Sequence, residues 1–378
     1  MRLELLAAVI AGLLAAAPAQ AQTAGVVLYG RVNLNMEVVN GKQPGAGCPD
    51  RCPNPNLFRI SSNSSMFGLR GSEPVGAGTS AIFQIESNVQ VDTGGGVLAS
   101  RESFIGLQGP WGTFKLGNFL SPYDDILPIF GNAPTLTSSI LSTAALWAQG
   151  FLGPPSAGGF DARIHNSVRY DTPALSGASG SVQFGTAEGT PTDHSYVLSV
   201  GGFYNNGPLQ LGTVYQLHNK IRGTAAAPLT DTALSIAGGY QFESFRLGGV
   251  YERLRYDVTP STDLKRDFWG VSATIDAGPG LIYVFVGRAG DGTGSAVNGS
   301  RIGGLTKGAS TGSTQWEVSY TYVVSARTLF YAGYVRIENE SNAAYTFNIN
   351  LYPILCDRYP NGACGKPAGF LVGAAHFF

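Results

Sequence analysis

"TQWEVSYTYV", residues 314–323, alternates without a break. Trp316, Val318, Tyr320 and Tyr322 fall on one side of an extended chain, and Gln315, Glu317, Ser319 and Thr321 on the other. A period of two is the mark of a strand with two unlike faces. "LQLGTVYQLH" (209–218) sets Leu209, Leu211, Tyr215 and Leu217 against Gln210, Gly212, Gln216 and His218. "FWGVSATID" (268–276) sets Trp269, Val271, Ala273 and Ile275 against Gly270, Ser272, Thr274 and Asp276. A soluble sandwich would carry a charged outer face. Here the polar sides hold mostly Ser, Thr, Gly and Gln, and the apolar sides are belted by Tyr, Trp and Phe. Such segments of ~10 residues describe a transmembrane barrel with a wet interior. In lipid every backbone N–H and C=O must be paired, so a sheet can cross only if it closes on itself.

Composition points the same way. Only 13% of the 378 residues are charged, 52 are Gly, 11% are aromatic, and the formal net charge is -1. That is a sparse surface for a soluble protein of this length, while no apolar run of ~20 residues offers a membrane helix. The longest uncharged stretch, Ile126 to Phe160, is broken by Pro128, Gly131 and Pro134. With so little net charge and 4 His, nucleic acid is not an expected partner.

From Val26 to Phe378 the alternation yields about sixteen strands, an even number as single-chain bacterial barrels have. Short turns ("EPVGAG" 73–78, "GPWG" 109–112, "NNGP" 205–208, "VVSAR" 323–327) alternate with long connections near 41–57, 122–162, 292–312 and 341–367. This is the asymmetry between periplasmic turns and extracellular loops. Not every strand is clean: "LIYVFVGR" and "FRLGGVYERLRY" leave a one-residue slip or a bulge open. The closing "GFLVGAAHFF" (369–378) puts Phe370, Val372, Ala374, His376 and Phe378 on one side, the side expected to meet lipid.

At the other end, Arg2 precedes an apolar stretch from Leu5 to Ala17, and "AQA" (19–21) has the small-x-small form of a cleavage site. Residues 1–21 therefore read as a secretory signal peptide and 22–378 as the barrel. In an exported chain Cys48, Cys52, Cys356 and Cys364 suggest disulfides. Local bridges within each pair are favoured, and a bridge between the two loops is sterically open, because first and last strands of a closed barrel are neighbours. Zinc is disfavoured, since no histidine lies near either pair. No enzyme is expected: His165, His194, His218 and His376 stand in no nucleophile setting, and "GACGKP" (362–367) has Pro where a P-loop needs Ser or Thr. No cofactor is implied.

These features together resemble the general trimeric porins of β-proteobacterial outer membranes, the neisserial type included. The resemblance spans the mature chain and rests on "VVLYGRVNLNME" (26–37), "FGLRGSEPVGAGTSAIFQIES" (67–87), "RESFIGLQGPWGTFKLGN" (101–118), "DARIHNSVRYDTPALSGASGSVQF" (161–184) and the terminal "VGAAHFF". It implies an all-β, sixteen-stranded transmembrane barrel in the outer membrane of a Gram-negative bacterium, assembled as a homotrimer among lipid and lipopolysaccharide. It implies a third extracellular loop, here 122–162, folded into the lumen, with a short helix over 136–149. Phe378 corresponds to the signal read by the outer-membrane assembly machinery. Basic residues on the wall then face acids on the loop: Arg70, Arg101, Arg163 and Arg169, with Arg31 and Lys115 of the same inward parity, against Asp124, Asp125 and Asp161.

Arginine suits this place because it stays charged at any relevant pH, and opposed rows of charge filter ions. The function implied is passive diffusion of small hydrophilic solutes and ions with mild anion selectivity; a substrate-specific porin with a binding site in the constriction is the alternative. Met66 and Asn118 depart from the family pattern, and the third loop is rich in Leu, Ile, Phe and Ala. These departures suggest a weaker field and a less polar solute path.

Overall fold

The computed structural model describes residues 25–41, 56–131, 140–149, 159–188, 194–349 and 365–378. The signal-peptide reading of 1–21 and all four cysteines lie outside the described residues. The sheet begins with β1 (Val27–Asn40), β2 in two pieces (Leu57–Ser62 and Met66–Gly76), β3 (Thr79–Val89) and β4 (Ser103–Gly109). It continues through β5 (Gly112–Leu120), β6 (Arg163–Asp171), β7 (Ala178–Thr186), β8 (Tyr196–Asn206), β9 (Leu209–Thr224) and β10 (Ala227–Gln241). The last six are β11 (Phe245–Thr259), β12 (Thr262–Ala277), β13 (Gly280–Ala289), β14 (Ser313–Ser325), β15 (Thr328–Asn339) and β16 (Ala368–Phe377). Each pairs antiparallel with its sequence neighbours, and β1 pairs with β16 from Arg31↔Phe377 to Asn40↔Ala368. Sixteen strands thus close into a barrel with no free edge, the condition that hydrocarbon imposes on a sheet.

Burial is inverted relative to a soluble protein. On β14, Trp316 is 49% and Val318 46% exposed, whereas Gln315 is fully buried, as are Glu317, Ser319 and Thr321 to within 2%. β9 repeats this with Leu211 and Tyr215 outward and Gln216 and His218 inward, and β12 with Trp269, Val271 and Ile275 outward. Among the described residues no helix is long and apolar enough to cross a membrane, so the strands carry the apolar surface.

The two ambiguous segments keep a regular register: β13 pairs without a shift, and β11 shifts only at its end, between Asp257 and Thr259. Their inner sides are apolar for a packing reason. Tyr283 and Phe285 of β13, and Val250, Leu254 and Tyr256 of β11, join a buried cluster with residues of the 121–162 connection.

Phe378 extends the β1–β16 ladder by a reciprocal pair of backbone bonds with Gly30, each 3.1 Å. Its ring lies on Gly30, where an added Cβ would stand 2.4 Å from Phe378 Cζ. A glycine is required at that close approach, and the ring stays 46% exposed on the outer face.

Candidate functional site

The basic residues singled out by parity lie on or beside β1, β2, β4, β5 and β6. Arg31 shares its face with buried Asn33, Asn35 and Glu37 of β1, and Val27, on the same face, sits opposite Arg70 of β2. The Arg31 Nε–H donates to Ser64 O at 2.9 Å. The Arg70 guanidinium lies 4.9 Å from the centre of the Tyr29 ring, and the Tyr29 hydroxyl donates to Glu86 Oε2 at 2.9 Å. Glu86 Oε1 accepts from Arg101 Nε at 2.5 Å. Arg101 precedes β4 and is held there by its own N–H bonded to Glu86 O. Arg163 Nε stands 3.2 Å from Glu102 Oε1. Arg169 binds Asp125 and Asp171, the latter at 2.7 Å, and Lys115 Nζ is 3.4 Å from Asp171 Oδ2. The basic residues thus gather on β1–β6, one half of the wall.

Here the charge pattern departs from expectation. Of the three loop acids, only Asp125 pairs with a wall arginine; the other wall partners are Glu86, Glu102 and Asp171, which belong to the wall side itself. Asp171 follows from the alternation of "SVRYD". Glu86 was legible from the same rule applied to "FQIES", and Glu102 adjoins Arg101 in sequence.

The described parts of the 121–162 connection (121–131, 140–149 and 159–162) run against the other side of the wall. The Tyr123 hydroxyl and the Ala148 N–H both donate to Glu252 Oε1 at 2.8 Å. Arg266, fully buried, binds Glu252 Oε2 and donates to Leu146 O at 2.5 Å. The Trp147 indole N–H donates to Ser235 Oγ at 3.1 Å, the Tyr283 hydroxyl to Phe130 O at 2.8 Å, and the Gln315 amide to Ser142 O at 2.8 Å. Arg246 caps the Pro128 and Ile129 carbonyls at 2.9 Å. Ile126 and Ile129 fill the space over Gly212 of β9, and Leu141 and Ile140 that over Gly333 of β15 and Gly369 of β16.

Two expectations are corrected by this packing. No helix covers the described part of 136–149, which holds only a 3₁₀ turn at Thr143–Ala145; the helical turns are Asp124–Ile126 and α1 (Leu127–Phe130). Ile140, Leu141, Leu146 and Trp147 each dock at a different place on the wall, so the chain spreads instead of coiling. Ile140, Leu141 and Leu146 are also buried away from the cavities, so they do not line a solute path, whereas Trp147 borders one of them. Sequence reasoning missed Glu252 because "FRLGGVYERLRY" did not reveal which of its faces was internal, and missed Arg266, which lies outside that stretch on the inward parity of "FWGVSATID".

Burial governs the loop acids. The Asp124 carboxyl is pushed well above its usual range by burial and then by neighbouring Asp161 and Asp125, against the opposing pull of Arg163. The Asp161 carboxyl is pushed up to about 7 by burial, with Glu252 adding to the rise. Burial also raises Asp125, with Arg169 opposing. Beside these groups lies a cavity of about 640 Å³ lined by Gln149, Asp161, Arg163 and the Tyr345–Asn348 stretch. A second, of about 680 Å³, is lined by Asn88, Gln90, Arg101 and again Arg163.

A closed antiparallel barrel with an apolar outside, a polar inside and a connection docked on one inner wall defines a porin-like outer-membrane protein. The sequence comparison narrows this: residues 6–342 match the Gram-negative porin family, and the chain belongs to it. An outer membrane porin protein of Bordetella pertussis is 30% identical over 375 residues, covering 87% of this chain and 92% of that one. Major outer membrane protein P.IA of Neisseria meningitidis serogroup C is 32% identical over 202 residues, 50% of this chain and 47% of that one. Among solved structures, the anion-selective porin from Comamonas acidovorans superposes with a TM-score of 0.75 at 19% identity, covering 94% of this chain and 100% of that one. OmpT of Vibrio cholerae in its trimer form gives 0.63 at 14% identity, covering 94% and 99%. The chain is thus an outer-membrane porin.

Proposed function

We propose that this barrel is a water-filled channel for passive diffusion of small hydrophilic solutes and ions, mildly anion-selective, with 122–162 as its constriction. The observation that carries the reading is the division of the interior. Among the described residues the loop packs mainly on one side of the wall and on Arg169 through Asp125, and the side that keeps Arg31, Arg70, Arg101, Lys115 and Arg163 is left to bound the aqueous path. Six acids face these six bases: Glu86, Glu102, Asp171, Asp124, Asp125 and Asp161. Counting alone would cancel them. Burial pushes the Asp124 carboxyl upward and the Asp161 carboxyl up to about 7, which weakens the acids against the bases.

The channel needs no catalysis and no cofactor. Three copies assemble as a homotrimer, as the trimer form of the Vibrio cholerae structure supports by likeness of fold. Residues 1–21 direct export, and Phe378 serves as the assembly signal at the barrel seam. Reversal potentials across a planar bilayer in a chloride gradient test the selectivity. An anion preference at pH 6 is expected; a clear cation preference there refutes it.

A further inference from the structure

Asp161 and Asp124 differ from the other acids near the path, and of the two only Asp161 lines a cavity. Asp125, Glu86, Glu102 and Asp171 each have a cation within ion-pair distance, whereas among the described residues Asp161 has none. It is half-buried and lines the 640 Å³ cavity, whose accessible rim also includes Gln149, Arg163, Gly303, Gly304 and Asn348. That volume is in the range of small-molecule sites. Its carboxylate is bonded by its own backbone N–H, and a carboxylate withdrawn from water without a cation is unfavourable, so a cationic group entering the cavity is stabilised there. A plain amine, however, would then meet Arg163, which lines this cavity and the next one, where Arg101 joins it. Only a solute carrying its own negative group satisfies both ends.

We propose that this cavity is a subsite for small zwitterionic solutes, amino acids in chemical class, with the ammonium group at Asp161 and the carboxylate at Arg163. The glycines of its rim, Gly303 and Gly304, leave room for the solute's carbon chain. The subsite rests on the channel reading and adds a solute class to it. It would concentrate solutes that a purely anion-selective entrance neglects, since their net charge is zero.

Isothermal calorimetry on the detergent-solubilised protein at pH 8, and block of chloride current in bilayers, test the idea together. The probes are glycine, β-alanine and 4-aminobutyrate, with butyrate and propylamine as single-charge controls. At least one zwitterion is expected to bind saturably and about ten-fold more tightly than either control. Asp161→Asn should reduce that zwitterion to the level of butyrate, and Asp161→Glu should restore much of the difference. Equal binding of zwitterions and controls, or an unchanged preference in Asp161→Asn, overturns the subsite. Chloride conductance without any probe reports separately on the channel: a conducting protein with no zwitterion preference refutes the subsite alone, and a binding protein that does not conduct refutes the channel.

Discussion

Replacing Glu252 by Leu should free the described parts of the 121–162 connection while leaving the barrel closed. One buried carboxylate holds both arms of the 121–162 connection, through Tyr123 on the ingoing arm and Ala148 on the return, and it neutralises Arg266, which holds Leu146. Removing one partner of a buried ion pair costs about 3–5 kcal/mol, because the other charge is left unpaired. The cost falls on the docking of the loop, since the β11–β12 ladder keeps its backbone bonds from Phe245↔Ile275 onward. At about 1.4 kcal/mol per factor of ten, the Ala148 amide should exchange with deuterium roughly a hundred- to a thousand-fold faster. Open-channel current should become noisy. The double variant Glu252→Leu with Arg266→Met, which removes both charges, should recover most of the quiet current. Wild-type exchange at Ala148 with a quiet single-variant channel would refute the anchoring role.

Three further outcomes are expected. Arg101→Ser combined with Arg163→Ser should move the reversal potential toward cation preference, leaving Glu86 and Glu102 unopposed; an unmoved potential would place the filter elsewhere. Anion preference should fall as pH rises from 6 to 8. Asp161, held up to about 7, is protonated and neutral below that pH and adds a negative charge above it, so Asp161→Asn should flatten the profile. Gly30→Ala should loosen the seam by about 1–3 kcal/mol, because its methyl enters the space of the Phe378 ring. Heat-modified mobility on gels reads this as a lower transition temperature, and Phe378→Ala in the same chain should relieve the part of the clash that comes from the ring, leaving the contact with Met66 O at 2.7 Å.

Alternation in "TQWEVSYTYV" determined by itself that the chain is a sheet with a dry face and a wet one, because side chains on a strand have no third direction to point. From that followed the inward parity of Arg31, Arg70, Lys115 and Arg169 and the outward parity of the Phe378 ring, since parity is a local property. Where both faces are apolar the rule fell silent. In "FRLGGVYERLRY" the inner Val250, Leu254 and Tyr256 are apolar because a loop from a hundred residues away rests on them. Only the tertiary structure decided where 121–162 docks, that Glu252 and Arg266 anchor it, and that Glu86, Glu102 and Asp171 oppose the arginines more than the loop does. Pairing between distant segments depends on which side chains meet across the lumen, and no spacing along one strand carries that information.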